Sequence, residues 1–483
     1  MLPILTAAQM RACDKYAIDV LHISALQLME NAALALWNVC KESNKTDYVV
    51  ILAGKGNNGG DGYCLADILI KEKKEVYVIA VNGLPISDEA QTMMKRFGKD
   101  NIIDISNGEM EQAIQIISKA SLIVDCIYGT GFKGEFTGAA AEIAKMTKNK
   151  YIIACDVPSG INCDTGFVQN ALKADITVTF GAYKPYCFLY PAKNYTGKIV
   201  LAPIGIPKSA IKAQMPFMYA TDDSVLNFIK KREENSHKGT YGGVQLVCGS
   251  KYMIGAAVMA AKSALRSGVG LVYITINRNI RKIMQTQLNE PVFVKWNSKT
   301  RATAFVIGCG LGKHSRIIKK YSKKNLPGVL DADALTYLSK RNHMNILRKF
   351  KEVIITPHPL EMSRLTGKTI TEIENDRIGT ALDFAKKYEV IVVLKGRHTI
   401  IATPEGTAYI NTSGNSGLSK GGSGDILSGL IGGLLAQGYS STQAAILGVY
   451  LHGKAADNLI HKGISQACLL PTDLPFEIGN MLT

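Results

Sequence analysis

No Cys-x-x-Cys pair occurs in this chain, although ten cysteines are spread along it, most of them inside apolar runs such as Ile-Val-Asp-Cys-Ile at 123–127. That pattern excludes a zinc ribbon and a disulfide-stapled fold, and it predicts buried free thiols in a reducing compartment. The amino terminus, Met-Leu-Pro-Ile-Leu-Thr, lacks the basic n-region that opens a signal peptide. No run of about 18 uncharged apolar residues is present, so no membrane-spanning helix is expected. Low-complexity tracts and short-period repeats are also missing, which excludes solenoids and arrays. These absences predict a cytoplasmic protein with no membrane partner.

What is present fits globular domains. Hydrophobic residues make up 47% of the 483 and charged residues 20%, enough to bury sizeable cores. The length exceeds one ordinary core and predicts two domains. Lys and Arg outnumber Asp and Glu by 56 to 40, a net +16 that favours anionic partners. No basic-aromatic motif or zinc finger accompanies that charge, so nucleic acid is not expected.

Short β-branched runs alternate with helical stretches through the first half. Strands are predicted at Tyr48–Ala53, Val76–Val81, Leu122–Ile127, Tyr151–Asp156, Ile176–Phe180 and Lys198–Ala202, with an amphipathic helix over Met110–Ala120. The pattern restarts after residue 236, with strands at Val244–Cys248, Leu271–Ile276, Phe305–Ile307, Val329–Leu330, Val353–Thr356 and Val390–Leu394. Alternation of this kind builds mostly parallel sheets with helices on both faces, and such α/β folds bind ligands at the carboxyl ends of the strands. The boundaries expected are 1–212 for the first domain, a linker over 213–235 ending in the polar run Lys230–Asn235, and 236–483 for the second.

The first strand runs into Gly54-Lys-Gly-Asn-Asn-Gly-Gly-Asp-Gly62, followed by a helix over Tyr63–Lys71. Five glycines in nine residues let the backbone approach a ligand and aim N–H groups at an anion. Asn57, Asn58 and Asp61 add polar groups that a plain tight turn does not need. Later strand ends supply Asp125 with Gly129-Thr-Gly-Phe-Lys-Gly-Glu135, and Asp156-Val-Pro-Ser-Gly160. Converging oxygens of this type suit a hard cation better than zinc. Each Asp taken singly also reads as a helix cap or Asx-turn, and Asp156 also as an acid or base.

These three segments together resemble the NAD(P)H-hydrate epimerase domain over about residues 1–212. The resemblance implies a Rossmann-like fold. It implies that Asn57, Asn58, Gly59, Gly60 and Asp61, with Gly129, Thr130, Gly131, Phe132, Lys133, Gly134 and Glu135, hold the hydrated dinucleotide. It also implies a potassium ion at Asn58, Asp125 and Ser159, with Asp156 touching the substrate as its catalytic residue.

In the second half, Asn415–Asp425 precedes an apolar helix over Ile426–Ala436. Backbone N–H groups of Gly422–Asp425 at a helix start form an anion hole for a transferring phosphoryl group, and Asp425 can take the proton of an attacking hydroxyl. The Walker A pattern is absent, so this is not a P-loop. Strand Val390–Leu394 ends in Lys395-Gly-Arg-His-Thr399, where a cation and a hydroxyl can meet phosphates. Strand Val353–Thr356 ends in Pro357-His358-Pro359, with Glu361 and Arg364 spaced to pair on a helix start. Whether His358 is structural or functional stays open on the sequence.

With Gly255-Ala-Ala, the Gly308–Gly312 turn and Asp331-Ala-Asp-Ala-Leu335, these motifs resemble the ribokinase-like fold, in its NAD(P)H-hydrate dehydratase branch, over about residues 236–480. The resemblance implies that ADP, with Mg²⁺, is held by Lys395, Gly396, Arg397, His398 and Thr399, and by Asn415, Ser416, Gly417, Leu418, Ser419, Lys420, Gly421, Gly422, Ser423 and Gly424. The hydrated nicotinamide would face Gly255, Ala256, Gly310, His358, Pro359, Leu360, Glu361, Met362, Ser363, Arg364 and the catalytic Asp425. Where many members read Ala-Thr-Ala-Gly-Thr-Gly-Asp, this chain has Ser419-Lys-Gly-Gly-Ser-Gly-Asp425, so Lys420 adds a cation near the phosphates.

The combined expectation is a homo-oligomer, a tetramer or larger, that repairs NADHX and NADPHX by epimerisation and ADP-dependent dehydration. The alternatives are a vitamin-type kinase in the second domain and a non-catalytic nucleotide-binding module in the first. The segment Tyr183–Tyr190 is expected to be aromatic packing or an interface.

Overall fold

The computed structural model describes residues 1–276, 278–296, 298–340 and 343–482. It divides into two compact units, Pro3–Pro216 and Phe217–Thr483, the latter with Met1–Leu2.

β1 (Leu2–Ile4) places Ile4 of the first unit beside Tyr183. The sheet is built from β2 (Tyr48–Ala53), β3 (Glu75–Ala80), β4 (Ile102–Asp104), β5 (Leu122–Cys126), β6 (Ile152–Cys155), β7 (Ile176–Phe180) and β8 (Lys198–Ala202). Their order is β4-β3-β2-β5-β6-β7-β8, and every pairing is parallel. Runs such as Val49–Ala53 are buried from end to end, as a sheet covered on both faces requires. Ala25–Glu42, Asn57–Lys71 and Asp88–Phe97 bring Leu36, Leu65 and Met93 to one face. Met110–Lys119 and Gly138–Met146 bring Ile117 and Ile143 to the other. Chain order reverses between β2 and β5, which opens a crevice at their carboxyl ends.

The glycine-rich stretch differs from the expected open turn. The helix starts at Asn57, six residues before the predicted start at Tyr63. Gly59, Gly60 and Gly62 therefore lie inside it, where they permit close packing. A Cβ on Gly59 would stand 2.0 Å from the Gly54 carbonyl oxygen, and one on Gly62 would stand 2.9 Å from Ile51.

The second unit contributes β9 (Met218–Ala220), β10 (Gly243–Val247), β11 (Leu271–Thr275), β12 (Val292–Val294), β13 (Ala304–Ile307), β14 (Gly328–Leu330), β15 (Val353–Ile355), β16 (Ile391–Leu394), β17 (Ile400–Ala402) and β18 (Ala408–Ile410). They run in the order β9-β18-β17-β16-β15-β14-β13-β10-β11-β12. Only β17 lies antiparallel to both of its neighbours. Helices Ile254–Arg266, Ser423–Ala436 and Ser441–His461 bury Ala260, Ile431 and Leu447 in the largest core.

The segment expected to link the units is mostly structured. Met218–Ala220 is a strand, and the 3₁₀ turn Asp223–Phe228 buries Val225 completely. The Tyr450 hydroxyl donates to Asp223 at 2.5 Å and ties that turn to the second unit. The boundary therefore falls at Pro216–Phe217, and only the charged run Lys230–Asn235 remains fully exposed.

Close helix contact in the second unit depends on Gly429, where a Cβ would stand 2.1 Å from the Ala260 carbonyl oxygen. Gly429→Ala is expected to cost about 1–3 kcal/mol through overpacking. By calorimetry the second unit's transition should fall by several degrees while that of the first unit stays in place.

Candidate active sites

A cavity of about 810 Å³ opens at the carboxyl ends of β2, β5 and β6. It collects Asn57, Asn58, Asp61, Gly129, Thr130, Gly131, Phe132, Lys133, Glu135 and Asp156, so three segments distant in sequence meet as expected. Gly59, Gly60 and Gly134 are not on its wall. The helical position of the first two gives them a packing role.

Asp156 follows β6 in the left-handed region, at φ +61. A non-glycine residue holds such a conformation only where its surroundings fix it. Here Lys184, whose side chain is entirely buried, places its ammonium 2.5 Å from the Asp156 carboxylate. The same ammonium donates to the Thr179 hydroxyl at 2.9 Å and to the Phe180 carbonyl at 2.8 Å, so all three protons are used. The Tyr186 hydroxyl donates to the Asp156 carbonyl. Burial alone would lower the affinity of Lys184 for its proton, but the charge and hydrogen bond of Asp156 outweigh it and hold the ammonium above the ordinary lysine range. The Tyr183–Tyr190 segment is thus a clamp on Asp156 as well as packing. Sequence reasoning missed Lys184, and the available signal was a lysine inside an otherwise apolar, aromatic run.

Two further carboxyls share this cavity. Burial pushes Asp61 well above the carboxylate range, and the charge of Asp156 adds to the shift. The Cys155 thiol donates to Asp61 at 3.8 Å. Asp14, on the helix Ala7–Asp19, is raised to about 6 by burial and then by Asp156, against the opposing charge of Lys184.

Of the trio expected to hold a cation, Asp125 and Ser159 bond directly. Asp125 is fully buried and accepts from the Ser159 hydroxyl at 2.6 Å, the Ser159 N–H at 2.8 Å and the Ile127 N–H at 3.2 Å. Burial nevertheless lifts it to about 6 against those three bonds. Asn58 has a buried side-chain nitrogen without a partner, and a Cβ on Gly129 would meet its oxygen at 2.9 Å. The oxygens of Asp125 and Ser159 are donors of the kind a hard cation takes, whereas the unpartnered Asn58 nitrogen is not. The described residues offer no group of three His, Cys, Asp or Glu that could hold a metal ion.

In the second unit the focus is Asp331, buried at the end of β14. Lys395, just past β16, donates to it at 2.8 Å and stands 3.9 Å from Glu361. Ser428 donates to the other oxygen of Asp331 at 2.7 Å. The helix Ser423–Ala436 begins beside them, capped by Gly422 at φ +103. A Cβ on Gly424 would stand 3.4 Å from the Lys395 ammonium and 3.7 Å from Asp331. The start of a helix and a fixed ammonium therefore meet at one point, an arrangement chemically able to hold a phosphate. Asp425 in that turn is raised to about 6, first by burial and then by the charge of Asp331, while Cys309 and Lys395 oppose the shift.

His358 has a structural role in the geometry. His358 and Glu361 cap the helix Pro359–Thr366 reciprocally, with the Glu361 carboxylate 2.8 Å from the His358 N–H. Glu361 turns toward Lys395, so the expected pairing with Arg364 is replaced. Burial and Lys395 lower the His358 proton affinity. Gly310, at φ +59, leaves room for Met253 and Ala256, whose Cβ atoms would stand 2.7 and 2.9 Å from an added Cβ, and so seats the Gly255–Ala256 helix start against its own turn.

Several of the expected contact residues are also tied into the fold. Met362 is wholly buried, and Ser363 donates to the Lys368 carbonyl. Leu360 stays exposed. The Asn415 amide is held by Asp457, Ser416 by Gln466, and Thr399 by the Gly396 carbonyl. His398 faces the Asn411 carbonyl, and the Lys420 ammonium is tethered to the Ala467 carbonyl at 2.6 Å. Asp331, Ser428 and Asp457 were missed as site residues. Asp331 stood in a quoted motif at a strand end, which was the usable signal.

Lys184→Met leaves Asp156 without its counter-charge and should cost about 3–5 kcal/mol. Adding Asp156→Asn to that variant should recover part of the loss, as read by urea unfolding of the three proteins.

Comparison with known proteins covers both units. The family described as NAD(P)H-hydrate dehydratase matches residues 244–478, and the YjeF-related protein N-terminus family matches residues 25–186. The bifunctional NAD(P)H-hydrate repair enzyme Nnr of Moorella thermoacetica is 32% identical, with 99% of this chain and 97% of the relative covered. That of Coxiella burnetii is 34% identical, with 96% of each covered. The crystal structure of the ADP/ATP-dependent NAD(P)H-hydrate dehydratase from Bacillus subtilis, co-crystallized with ATP/Mg²⁺, superimposes with a TM-score of 0.50 at 32% identity, covering 54% of this chain and 96% of that one. With two sites of this construction and identity of this extent, the chain belongs to the family of bifunctional NAD(P)H-hydrate repair enzymes.

Proposed function

We propose that the chain returns hydrated NADH and NADPH to their active forms in two steps, one in each unit. The observation that carries this reading is the meeting of Lys395, the Gly422–Gly424 turn and Asp425 at a single point. A phosphoryl group bound there is neutralised by backbone N–H groups and one ammonium, while an adjacent carboxyl receives a proton.

The substrate carries a hydroxyl on C6 of the nicotinamide ring. Asp425 takes the proton of that hydroxyl as its oxygen attacks the terminal phosphorus of ADP, and AMP leaves. The C6–O bond then breaks with loss of phosphate and of a proton from C5, which restores the ring double bond. Lys395 and the helix start hold the phosphoryl oxygens throughout. Asp331 fixes Lys395, and Ser428 fixes Asp331. Magnesium would arrive on the nucleotide and neutralise phosphate charge, since the described carboxylates form no cage of their own.

The first unit interconverts the two C6 epimers, so that both reach the dehydratase. Asp156 lies where it can exchange a proton with the substrate, and Lys184 fixes its carboxylate. Potassium would sit among Asn58, Asp125 and Ser159 and supply a fixed positive charge beside the Gly129–Glu135 turn.

Asp425→Asn should abolish ADP-dependent recovery of the reduced nicotinamide by at least about a hundredfold in kcat. Asp156→Asn should stop recovery once the S epimer is spent. A stable phosphorylated product released by the unmodified chain would contradict the dehydratase reading.

The cation site carries its own sign. Asp125 holds its proton more tightly folded, at about 6, than unfolded, at 3.8. The folded first unit therefore loses stability as pH rises through that window. Potassium needs the ionised form, so it should raise the first unit's Tm at neutral pH and have little effect in acid. In Asp125→Asn the shift should vanish, and sodium or lithium at equal ionic strength should give less of it.

A further inference from the structure

The helix Ala7–Asp19 buries Met10, Cys13 and Ala17. Asp14 occupies the remaining place of that i, i+3, i+4, i+7 stripe, where a helix serving only packing would carry an apolar side chain. Instead a carboxyl points into the cavity that Asp156 and Lys184 line. No ion-pair partner lies within 4.0 Å of it among the described residues. The helix itself is rigidly set by a reciprocal Thr6–Gln9 cap and by the Ala7 N–H on the Asp164 carboxylate at 2.6 Å.

We propose that Asp14 is the proton donor of the first site, working with the Asp156 carboxylate that Lys184 clamps. The proposal rests on reading that site as an epimerase. Asp14 gives its proton to the C6 hydroxyl, the C6–O bond breaks, water leaves, and the N1 lone pair takes up the positive charge. Water then adds to the opposite face of C6 and gives its extra proton to Asp156. One proton has passed from Asp14 to Asp156, and solvent in the open cavity returns it. The reverse reaction exchanges the two roles.

The charged and titratable groups around Asp14 include Asp156, Lys184, Asp61 and Cys13, with Arg11, Lys55, Tyr128, Lys133 and Glu135 on the same cavity wall. Burial first and Asp156 second hold the Asp14 proton until about pH 6, with Lys184 opposing. A donor must be protonated, so turnover should decline as pH rises through that value.

The test follows R-to-S interconversion of hydrated NADH chromatographically in the unmodified full chain, Asp14→Asn and Asp14→Glu, without nucleotide, across pH. The first unit's calorimetric transition in each protein controls for its folding, and ADP-dependent consumption of pure S epimer controls for the second unit. The proposal expects Asp14→Asn to lose about a hundredfold in kcat with little change in KM and to lose the alkaline limb, and Asp14→Glu to restore a limb. An Asp14→Asn variant that keeps more than about a tenth of kcat, or that slows while the limb stays in place, overturns it. No interconversion by the unmodified chain overturns the epimerase reading and the proposal with it, so the two failures are told apart.

Discussion

Each half of this chain sets a lysine, withdrawn from water, on an aspartate at the carboxyl end of a parallel sheet. Lys184 sits on Asp156, with exposures of 0% and 14%, and Lys395 sits on Asp331, with exposures of 20% and 3%. Removing such ions from water is costly, and a buried pair is sustained only where every remaining bond is made. Thr179 and Phe180 complete the first pair, and Ser428 completes the second. What these pairs supply is placement. They fix a point of charge against which neighbouring carboxyls hold or release protons.

The two units use that device differently. In the first, burial and then the Asp156 charge raise the proton affinity of Asp14 and Asp61, Lys184 opposing at Asp14, while Asp125 has a separate cradle. The chemistry proposed there is loss and return of water at one carbon with proton transfer to and from oxygen, and the cavity is correspondingly rich in carboxyls. In the second, the ammonium is turned to the start of a long helix and to Glu361, and the chemistry is phosphoryl transfer. The net charge of +16 suits both, because substrate and donor are polyphosphates.

Local pattern carried much of this. Tyr48–Ala53, Ile176–Phe180 and Lys198–Ala202 are strands with the bounds their β-branched runs predict, and the loops after β2, β5 and β6 do converge. Of the ten cysteines, all free, only Cys468 is exposed, as apolar neighbours suggested. Strands of three residues such as Ile400–Ala402 and Ala408–Ile410 are too short for alternation to show. The helix start at Asn57 was hidden because glycine reads as turn until close packing against β2 explains it. Lys184 and Asp331 were hidden for another reason. Their partners lie 28 and 64 residues away, and only the sheet brings them together. The aspartate at position 14 reads as an ordinary helix residue until the cavity beneath it is seen.

The most direct measurement follows both epimers of hydrated NADH separately while the intact chain acts on the mixture in potassium buffer, with and without ADP. Without ADP the epimers should approach equilibrium and no reduced nicotinamide should form. With ADP the S epimer should fall first, the R epimer should follow, and AMP and phosphate should appear in step with NADH. An R epimer that persists while S is consumed, or ADP consumption without NADH, would contradict the account.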